Sequence, residues 1–166
     1  MKKVLAIFLA FIIGLSMSAQ IQNKILGFTL GSTTKTEVYD KYKHEKHFLE
    51  RSEGYSVGGL EFAGQKWDIT SFNFYNNQLS NIQFSLVDLG TPVYVMDSVW
   101  DYLRLTLLDK YGDYNYFSTS EYLFFEDGKT NLAISYKYAG ENKALVLIYS
   151  DSALKELQRQ SEENDL

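Results

Sequence analysis

Helical and strand-like hydrophobic patterns alternate twice along this chain, and that order restricts the fold more than any other feature of the sequence. A stretch with helical spacing is followed by several stretches with the two-residue period of β-strands, and the succession then repeats. Runs of strands, each preceded by a helix, are typical of α+β proteins in which helices cover one face of an antiparallel sheet. We therefore predict a single α+β domain over residues 20–166, built as two α-β-β(-β) halves in tandem at about residues 28–90 and 91–160.

The first helix has a clear start signal. Thr34 and Glu37 have the spacing of a capping box, in which the Thr hydroxyl binds the amide three residues on and the Glu side chain returns to the cap amide. Val38 and Tyr42 then share one helical face, which predicts that this face is buried. We expect the helix to end at about His47, where the apolar pattern stops.

Three strand-like runs follow this helix, at residues 55–62, 67–75 and 79–87. The last two are joined by Asn76-Asn77-Gln78, and an Asn tolerates the positive φ that such turns require. A two-residue loop would place Phe72 on the sheet face opposite Ile82, whereas a three-residue loop with Asn77 as its bulge residue places them on the same face. We predict the three-residue loop, because it gives one coherent apolar face.

The second half begins with a stronger helical pattern. Thr91 can cap the helix, Pro92 fits its first position, where a missing N–H does no harm, and Gly112 fits its end. The predicted apolar stripe consists of Met96, Val99, Leu103, Leu107 and Tyr111. Strand patterns follow at residues 114–119, 121–125, 131–138 and 143–150. Asp151 or Ser152 can cap a final short helix that ends near Gln160.

The two halves can be overlaid on each other. Residues 60–88 align without a gap on residues 123–151, with matches that include Leu60 to Leu123 and Asp88 to Asp151. This predicts an internal repeat, and the alternative is that two similar units arose by chance.

Residues 1–19 have the layout of a secretory signal peptide. Lys2 and Lys3 precede an apolar run at residues 4–15, and small residues follow up to Ala19. The run is shorter than the roughly 20 apolar residues of a membrane span. We therefore predict cleavage after Ala19 and an exported, soluble protein with no membrane span, in the periplasm or outside the cell. The alternative is an uncleaved N-terminal anchor.

Composition excludes several classes of function. The chain has no cysteine, which rules out disulfides, thiol catalysis, cysteine-ligated metals and the acylated Cys of a bacterial lipoprotein. Its formal charge is −5, which argues against a nucleic-acid partner. No Gly-x-Ser-x-Gly elbow, P-loop or dinucleotide motif is present, so we predict no cofactor.

Two segments of the first half resemble small exported α-β-β repeat proteins. Residues 30–38, Leu-Gly-Ser-Thr-Thr-Lys-Thr-Glu-Val, are similar to their G-x-T-x-x-E-V helix start, and Phe72, Phe74, Asn77, Leu79 and Ile82 are similar to their F-x-F…N/G-x-L-x-x-I hairpin. These families include β-lactamase-inhibitor-protein-like domains and small outer-membrane lipoproteins of the barrel-assembly machinery. The resemblance implies an exported module that binds another protein.

The second face of the predicted sheet supplies candidate binding residues. If Leu145 and Leu147 face the helices, then Val146 and Ile148 face the other way and stay exposed on a single-layered sheet. The same register places three residues of the first half on this face: Trp67, Ile69 and Tyr75. Exposed apolar and aromatic side chains mark interfaces, so we expect these five residues to bind another protein. The alternative is that residues 25–30 or the final helix cover this face, or that the sheet closes on itself.

Candidate catalytic chemistry is limited to a few side chains. Asp40, His44 and His47 recur at i, i+4 and i+7, so one helical face could present three metal ligands. The alternative is a solvated helix end, because lysines surround them. Glu61 and Asp68 could form the carboxylate pair of a glycosidase, or they could be strand residues that point to water. The sequence thus favours a non-enzymatic binding module, with a metal-dependent or carboxylate-based hydrolase of the cell envelope as the alternative.

Overall fold

The computed structural model describes residues 20–139 and 142–164 of the 166-residue chain. The predicted signal peptide lies outside these residues. The helices are α1 (Lys35–Tyr42), α2 (Val93–Tyr111) and α3 (Ser152–Asn164). The strands are β1 (Lys24–Ile25), β2 (Phe28–Thr29), β3 (Phe48–Arg51), β4 (Gly54–Gly58), β5 (Glu61–Phe62), β6 (Gln65–Lys66), β7 (Ile69–Tyr75), β8 (Gln78–Val87), β9 (Asn115–Ser118), β10 (Tyr122–Glu126), β11 (Thr130–Ala139) and β12 (Asn142–Asp151).

Eight strands form one antiparallel sheet in the order β3-β4-β7-β8-β12-β11-β10-β9. The first four of these strands follow α1 and the last four follow α2, so each half contributes one helix and four strands. The last strands of the two halves, β8 and β12, pair at the centre, from Val87 opposite Ala144 to Asn81 opposite Ser150. Two short ribbons, β1–β2 and β5–β6, complete the fold. The predicted α+β class is confirmed.

The hydrophobic core lies on the face of the sheet that α1 and α2 cover. Its fully buried sheet residues include Phe72, Ile82, Phe84, Leu132, Ile134 and Leu145. Segments outside the sheet add to this core: Ile21, Ile25 and Phe28 from the N-terminal segment are buried in it. Phe62 of β5 stacks on Phe84, with ring centroids 4.5 Å apart.

The start of α1 is as predicted, and its end is not. The Glu37 amide donates to Thr34 Oγ1 and the Thr34 amide donates to Glu37 Oε2, which completes the capping box, and Val38 and Tyr42 are buried. The helix ends at Tyr42 instead of about His47, because residues 43–47 offer no apolar side chain to continue the buried face. The chain then enters β3, a strand that the sequence pattern did not predict.

The β7–β8 connection differs from the predicted three-residue loop. It is a two-residue turn in which Asn76 and Asn77 have φ values of 49° and 63°, as a type I′ turn requires. Beyond the turn Phe74 pairs with Leu79, but Asn73 pairs with Asn81, so Ser80 is the extra residue of a β-bulge. The bulge, rather than the loop, shifts the register and brings Phe72 and Ile82 to one face.

The start of α2 also uses different contacts from those predicted. Pro92 is the N-cap residue and Thr91 makes no cap bond to the helix; its hydroxyl instead donates to Asp68 Oδ2 at 2.9 Å. Gly112 caps the helix C-terminus with a right-handed φ of −63°. The buried residues of α2 are Met96, Trp100, Leu103, Leu107 and Tyr111, so Trp100 joins the predicted stripe, while Val99 is half-buried.

The end of the chain follows the predicted pattern and extends it. Leu132 pairs with Tyr149 and Ile134 with Leu147, as the alternation in both strands predicts. Asp151 Oδ1 accepts the Leu154 amide at 2.9 Å and caps α3, which continues past Gln160 to Asn164. No helix among the residues that the structure describes is long and apolar enough to cross a membrane.

Candidate interaction surface

The face of the eight-stranded sheet that points away from α1 and α2 is the candidate interaction surface, called the open face below. Side chains alternate between faces along a strand, so the open-face residues are those next to the core residues. Residues 25–30, which could have covered this face, pack on the core instead: the Phe28 ring lies 5.7 Å from that of Phe72. The final helix α3, the other segment named in the alternative, lies over the part of the face that carries Asn73, Asn81 and Gln83.

Cross-strand pairing arranges the open face in rows, and the rows change character from one half of the sheet to the other. The central row consists of Leu49, Ser56, Ser71, Gln83, Ile148, Ala133, Phe124 and Phe117. In this row the side chains on β4, β7 and β8 are polar, whereas those on β12, β11, β10 and β9 are apolar. The apolar surface is therefore on the second half of the chain.

Three rings form an aromatic cluster at the β9 end of the open face. Phe117 is 59% exposed and lies 6.1 Å from Tyr122 between ring centroids, and Tyr122 stacks 6.4 Å from Phe124. Tyr122 and Phe124 are half-buried, and burial raises the pKa of the Tyr122 hydroxyl. Grouped aromatic side chains with an exposed edge are the composition of a binding surface.

A polar groove of about 790 Å³ adjoins this aromatic cluster. The sheet supplies Asn73, Asn81, Gln83, Asn131 and Phe124 to one wall, and α3 supplies Lys155, Glu156, Arg159 and Glu162 to the other. The Arg159 guanidinium and the Gln160 amide donate to Glu156 and lower the pKa of its carboxyl to about 2. The α3 wall therefore carries fixed charges of both signs, and it faces neutral amides and the Glu126 carboxylate on the sheet.

Four of the five predicted binding residues lie on the open face: Ile69 and Tyr75 alternate with core residues along β7, and Val146 and Ile148 do so along β12. Ile69 pairs with Ser85, and Ser85 pairs with Val146, so Ile69 and Val146 belong to one row, and Ile148 lies in the next. Val146 is only 2% exposed, and Ile69 and Ile148 are half-buried. These three side chains expose less apolar surface than the sequence pattern predicted.

Trp67 was wrongly predicted to lie on this face. It is 0% exposed, its Nε1–H donates to the Phe62 carbonyl at 3.0 Å, and its ring lies 5.5 Å from that of Phe84. The prediction treated residues 67–75 as one strand, but β6 ends at Lys66 and β7 begins at Ile69. The alternation of β7 therefore does not extend to Trp67, which packs in the core.

Tyr75 lies at the end of β7, beyond the bulge, and faces α3. Its hydroxyl is 3.5 Å from the backbone oxygen of Leu157. This residue is half-buried and contributes to holding α3 beside the sheet.

The predicted metal ligands do not share a helical face. Because α1 ends at Tyr42, only Asp40 lies on it, and its carboxylate pairs with Lys43 at 2.7 Å. His44 lies in the following turn, and His47 precedes β3. Within residues 20–139 and 142–164, no group of three or more His, Asp or Glu side chains is placed to hold a metal ion.

The two residues of the predicted carboxylate pair, Glu61 and Asp68, have different structural roles. Asp68 Oδ2 accepts the Val87 amide and the Thr91 hydroxyl, each at 2.9 Å, so this carboxylate connects the end of β8 to the start of α2. The alternative reading, that it points to water, is therefore wrong for Asp68. Glu61 is an exposed residue of the β5–β6 ribbon.

Sequence reasoning missed the aromatic cluster. Its signal is the alternation of Tyr122 and Phe124 with buried Leu123 and Phe125, which places the first two on the open face.

Comparison with protein-family models, with curated proteins and with solved structures found no match to this chain.

Proposed function

We propose that this protein is an exported, non-enzymatic module that binds another protein through the open face of its sheet. The observation that carries the proposal is the aromatic cluster of Phe117, Tyr122 and Phe124. Two of its rings are partly packed against the sheet and the third is largely exposed, so a partner would gain apolar contact without having to order a flexible side chain.

The surroundings of the cluster support a protein partner. Apolar side chains of Ala133 and Ile148 continue the cluster toward the centre of the sheet, and the polar groove below α3 borders it. An apolar centre with a polar rim is the usual anatomy of a protein–protein interface. No cofactor forms part of this proposal.

Export forms part of the proposal through residues 1–19. Their layout of two lysines, an apolar run and small residues supports a cleaved signal peptide, and the absence of cysteine supports a soluble product over a lipoprotein. Mass spectrometry of the protein from its native host should show a mass lower by about 2 kDa, as expected for a signal of this length. Recovery of intact Met1 from the membrane fraction would identify an anchor instead.

The binding proposal is tested with the purified protein as bait against the native envelope fraction. Phe117→Ser removes the most exposed ring of the cluster, and Tyr94→Ser removes a 73% exposed ring on α2 as a matched control. A partner of the open face should be captured by the wild type and by Tyr94→Ser and lost with Phe117→Ser. Equal capture by all three proteins would contradict the proposal.

A further inference from the structure

An open pocket of about 630 Å³ lies at the β3 edge of the sheet, at the opposite end of the open face from the aromatic cluster. Leu49 and Arg51 line one side, because the alternation of β3 turns both toward the open face, and His47, which precedes β3, lies next to them and accepts the Gly58 amide through its carbonyl. Ile69 lines the other side. Lys66 also lines the pocket, with its side chain beside Gly59. A volume of this size is typical of small-molecule sites.

The floor of the pocket is formed by the small residues of β4. Ser56 and Gly58 face the open side, and the Ser56 hydroxyl lies 3.2 Å from that of Ser71. A Cβ on Gly58 would lie 3.0 Å from His47 Cβ and 3.4 Å from the Asp68 carbonyl oxygen. A larger residue at position 58 would therefore push His47 away and fill the floor.

Three basic side chains, all of them exposed, surround this floor: His47, Arg51 and Lys66. Their side chains make no hydrogen bond or ion pair with any part of the chain that the structure describes. Asp68 is the one acidic side chain among the lining residues, and its Oδ2 already accepts two hydrogen bonds. In a chain with a formal charge of −5, this is a local excess of positive charge.

We propose that this pocket binds a small carboxylate that carries an apolar body. The carboxylate accepts hydrogen bonds from Arg51 and Lys66. It thereby gives these two cations the anionic partner that the described part of the chain does not provide. The apolar body lies along Leu49, which is 60% exposed, and Ile69. The ligand is either a free organic acid or the carboxylate at the end of a peptide, and both present the same chemistry to the site. The proposal does not depend on the aromatic cluster or on export.

The test is a calorimetric and NMR titration of the purified protein with hexanoate. Inorganic phosphate supplies charge without an apolar body, and 1-hexanol supplies the body without charge. We expect saturable binding of hexanoate and at least about 5-fold weaker binding of both controls, because each lacks one of the two kinds of contact. Absence of saturable hexanoate binding, or phosphate binding of equal strength, would overturn the proposal. A parallel titration with acetyl-glycyl-leucine identifies which source of carboxylate the site prefers.

Charge variants test the named residues directly. Arg51→Gln and Lys66→Gln should each weaken hexanoate binding by about 5- to 10-fold, since each removes a charge-assisted contact. Lys46→Gln makes the same change in net charge at an exposed lysine that does not line the pocket, and it should stay within about 2-fold of the wild type. Equal weakening by Lys46→Gln would show a general charge effect and overturn the assignment.

A further variant, at an exposed position, tests the site without affecting folding, so that a loss of binding cannot be attributed to unfolding. Leu49→Asp places an acidic side chain between His47 and Arg51 on an exposed position, so the melting temperature should stay close to that of the wild type. It should abolish hexanoate binding, because it removes apolar surface and introduces a competing carboxylate. Undiminished binding by this folded variant would contradict the proposed site.

Discussion

At the scale of single residues, burial and hydrogen bonding decide what an aromatic ring does in this protein. Phe117 keeps most of its ring in solvent, whereas Trp67 is enclosed and has its only polar atom satisfied by the Phe62 carbonyl. A residue of the second kind contributes to stability, and one of the first kind is available to a partner.

Trp67→Ala should therefore destabilise the fold by about 3–5 kcal/mol, because it leaves a large cavity beside Phe84 and removes the hydrogen bond to the Phe62 carbonyl. Urea unfolding followed by fluorescence or circular dichroism measures the change in the free energy of unfolding. Tyr94→Ala, at an exposed ring, is the control and should change it by no more than about 0.5 kcal/mol. A loss below about 1 kcal/mol for Trp67→Ala would mean that this ring is not part of the core.

Asp97 on α2 predicts a pH-dependent contribution to stability. Its Oδ1 accepts the Tyr136 hydroxyl at 2.7 Å and the Lys143 ammonium at 3.0 Å, and these two hydrogen bonds lower the pKa of the carboxyl. A lowered pKa in the folded state stabilises the protein above the ordinary Asp pKa of about 3.9, and this stabilisation is lost as the pH falls through the lowered value.

Asp97→Asn should thus lower the free energy of unfolding at pH 7 by less than about 1 kcal/mol, because the Asp97 side chain is 53% exposed and solvent screens the pair. The difference from the wild type should shrink as the pH is lowered from about 5 toward 2. Urea unfolding at several pH values measures it. A pH-independent difference for Asp97→Asn would contradict the argument.

At the scale of elements, the β7–β8 hairpin shows which parts of the fold the sequence predicts and which it does not. The faces of Phe72 and Ile82 follow from the alternation of apolar residues, because that pattern directly reflects burial. The way in which the chain achieves the register does not follow, because it depends on positive φ at both Asn76 and Asn77 and on a hydrogen bond from Ser80 to the Asn73 carbonyl.

The same distinction applies to the candidate site. Ile69 and Ile148 were correctly assigned to the open face, because both lie inside regular strands. Trp67 was assigned to the wrong face because the strand conformation is interrupted between β6 and β7. The hydrophobic pattern of the sequence does not indicate this interruption. Strand β3 was missed because only Phe48 in it is partly buried, and its pairing with β4 is a tertiary contact.

Deletion of Ser80 should remove the bulge and leave a regular hairpin in which Asn73 still pairs with Asn81. We expect a folded protein with a free energy of unfolding lower by about 1–2 kcal/mol, since the Ser80 hydrogen bond and the local twist are lost. Insertion of one Ala after Ser80 should instead turn Ile82 and Phe84 to the open face and abolish cooperative unfolding. Near-ultraviolet circular dichroism and thermal melts separate the two outcomes. A cooperative melt for the insertion variant would contradict the bulge assignment.

At the scale of the whole molecule, the two halves are joined along β8 and β12. Phe84 and Leu147 face each other across this seam, and they also occupy corresponding positions when residues 60–88 are overlaid on residues 123–151. This placement supports the predicted internal repeat, which stays a prediction. Other contacts also join the halves: the Phe62 ring lies 5.8 Å from that of Tyr149.

Neither half should be stable alone, because each would expose the central edge of its sheet and lose core contacts with the other. Fragments 20–91 and 92–166 should each lack a cooperative thermal transition, and mixing them should restore one. Circular dichroism melts of the separate and mixed fragments provide the measurement. A cooperative transition in either fragment alone would mean that it is an independent folding unit.

The burial of Ile21 has a consequence for the timing of maturation. This residue is 1% exposed and its N–H donates to Asp127 Oδ2 at 2.9 Å, so the chain is anchored in the second half almost from its first described residue. If the leader is removed after Ala19, a single residue separates the cut from the core. A peptidase that needs an extended segment on both sides of its cut would then have to act before Ile21 is bound in the core, because the cut and the first buried side chain are separated by Gln20 alone.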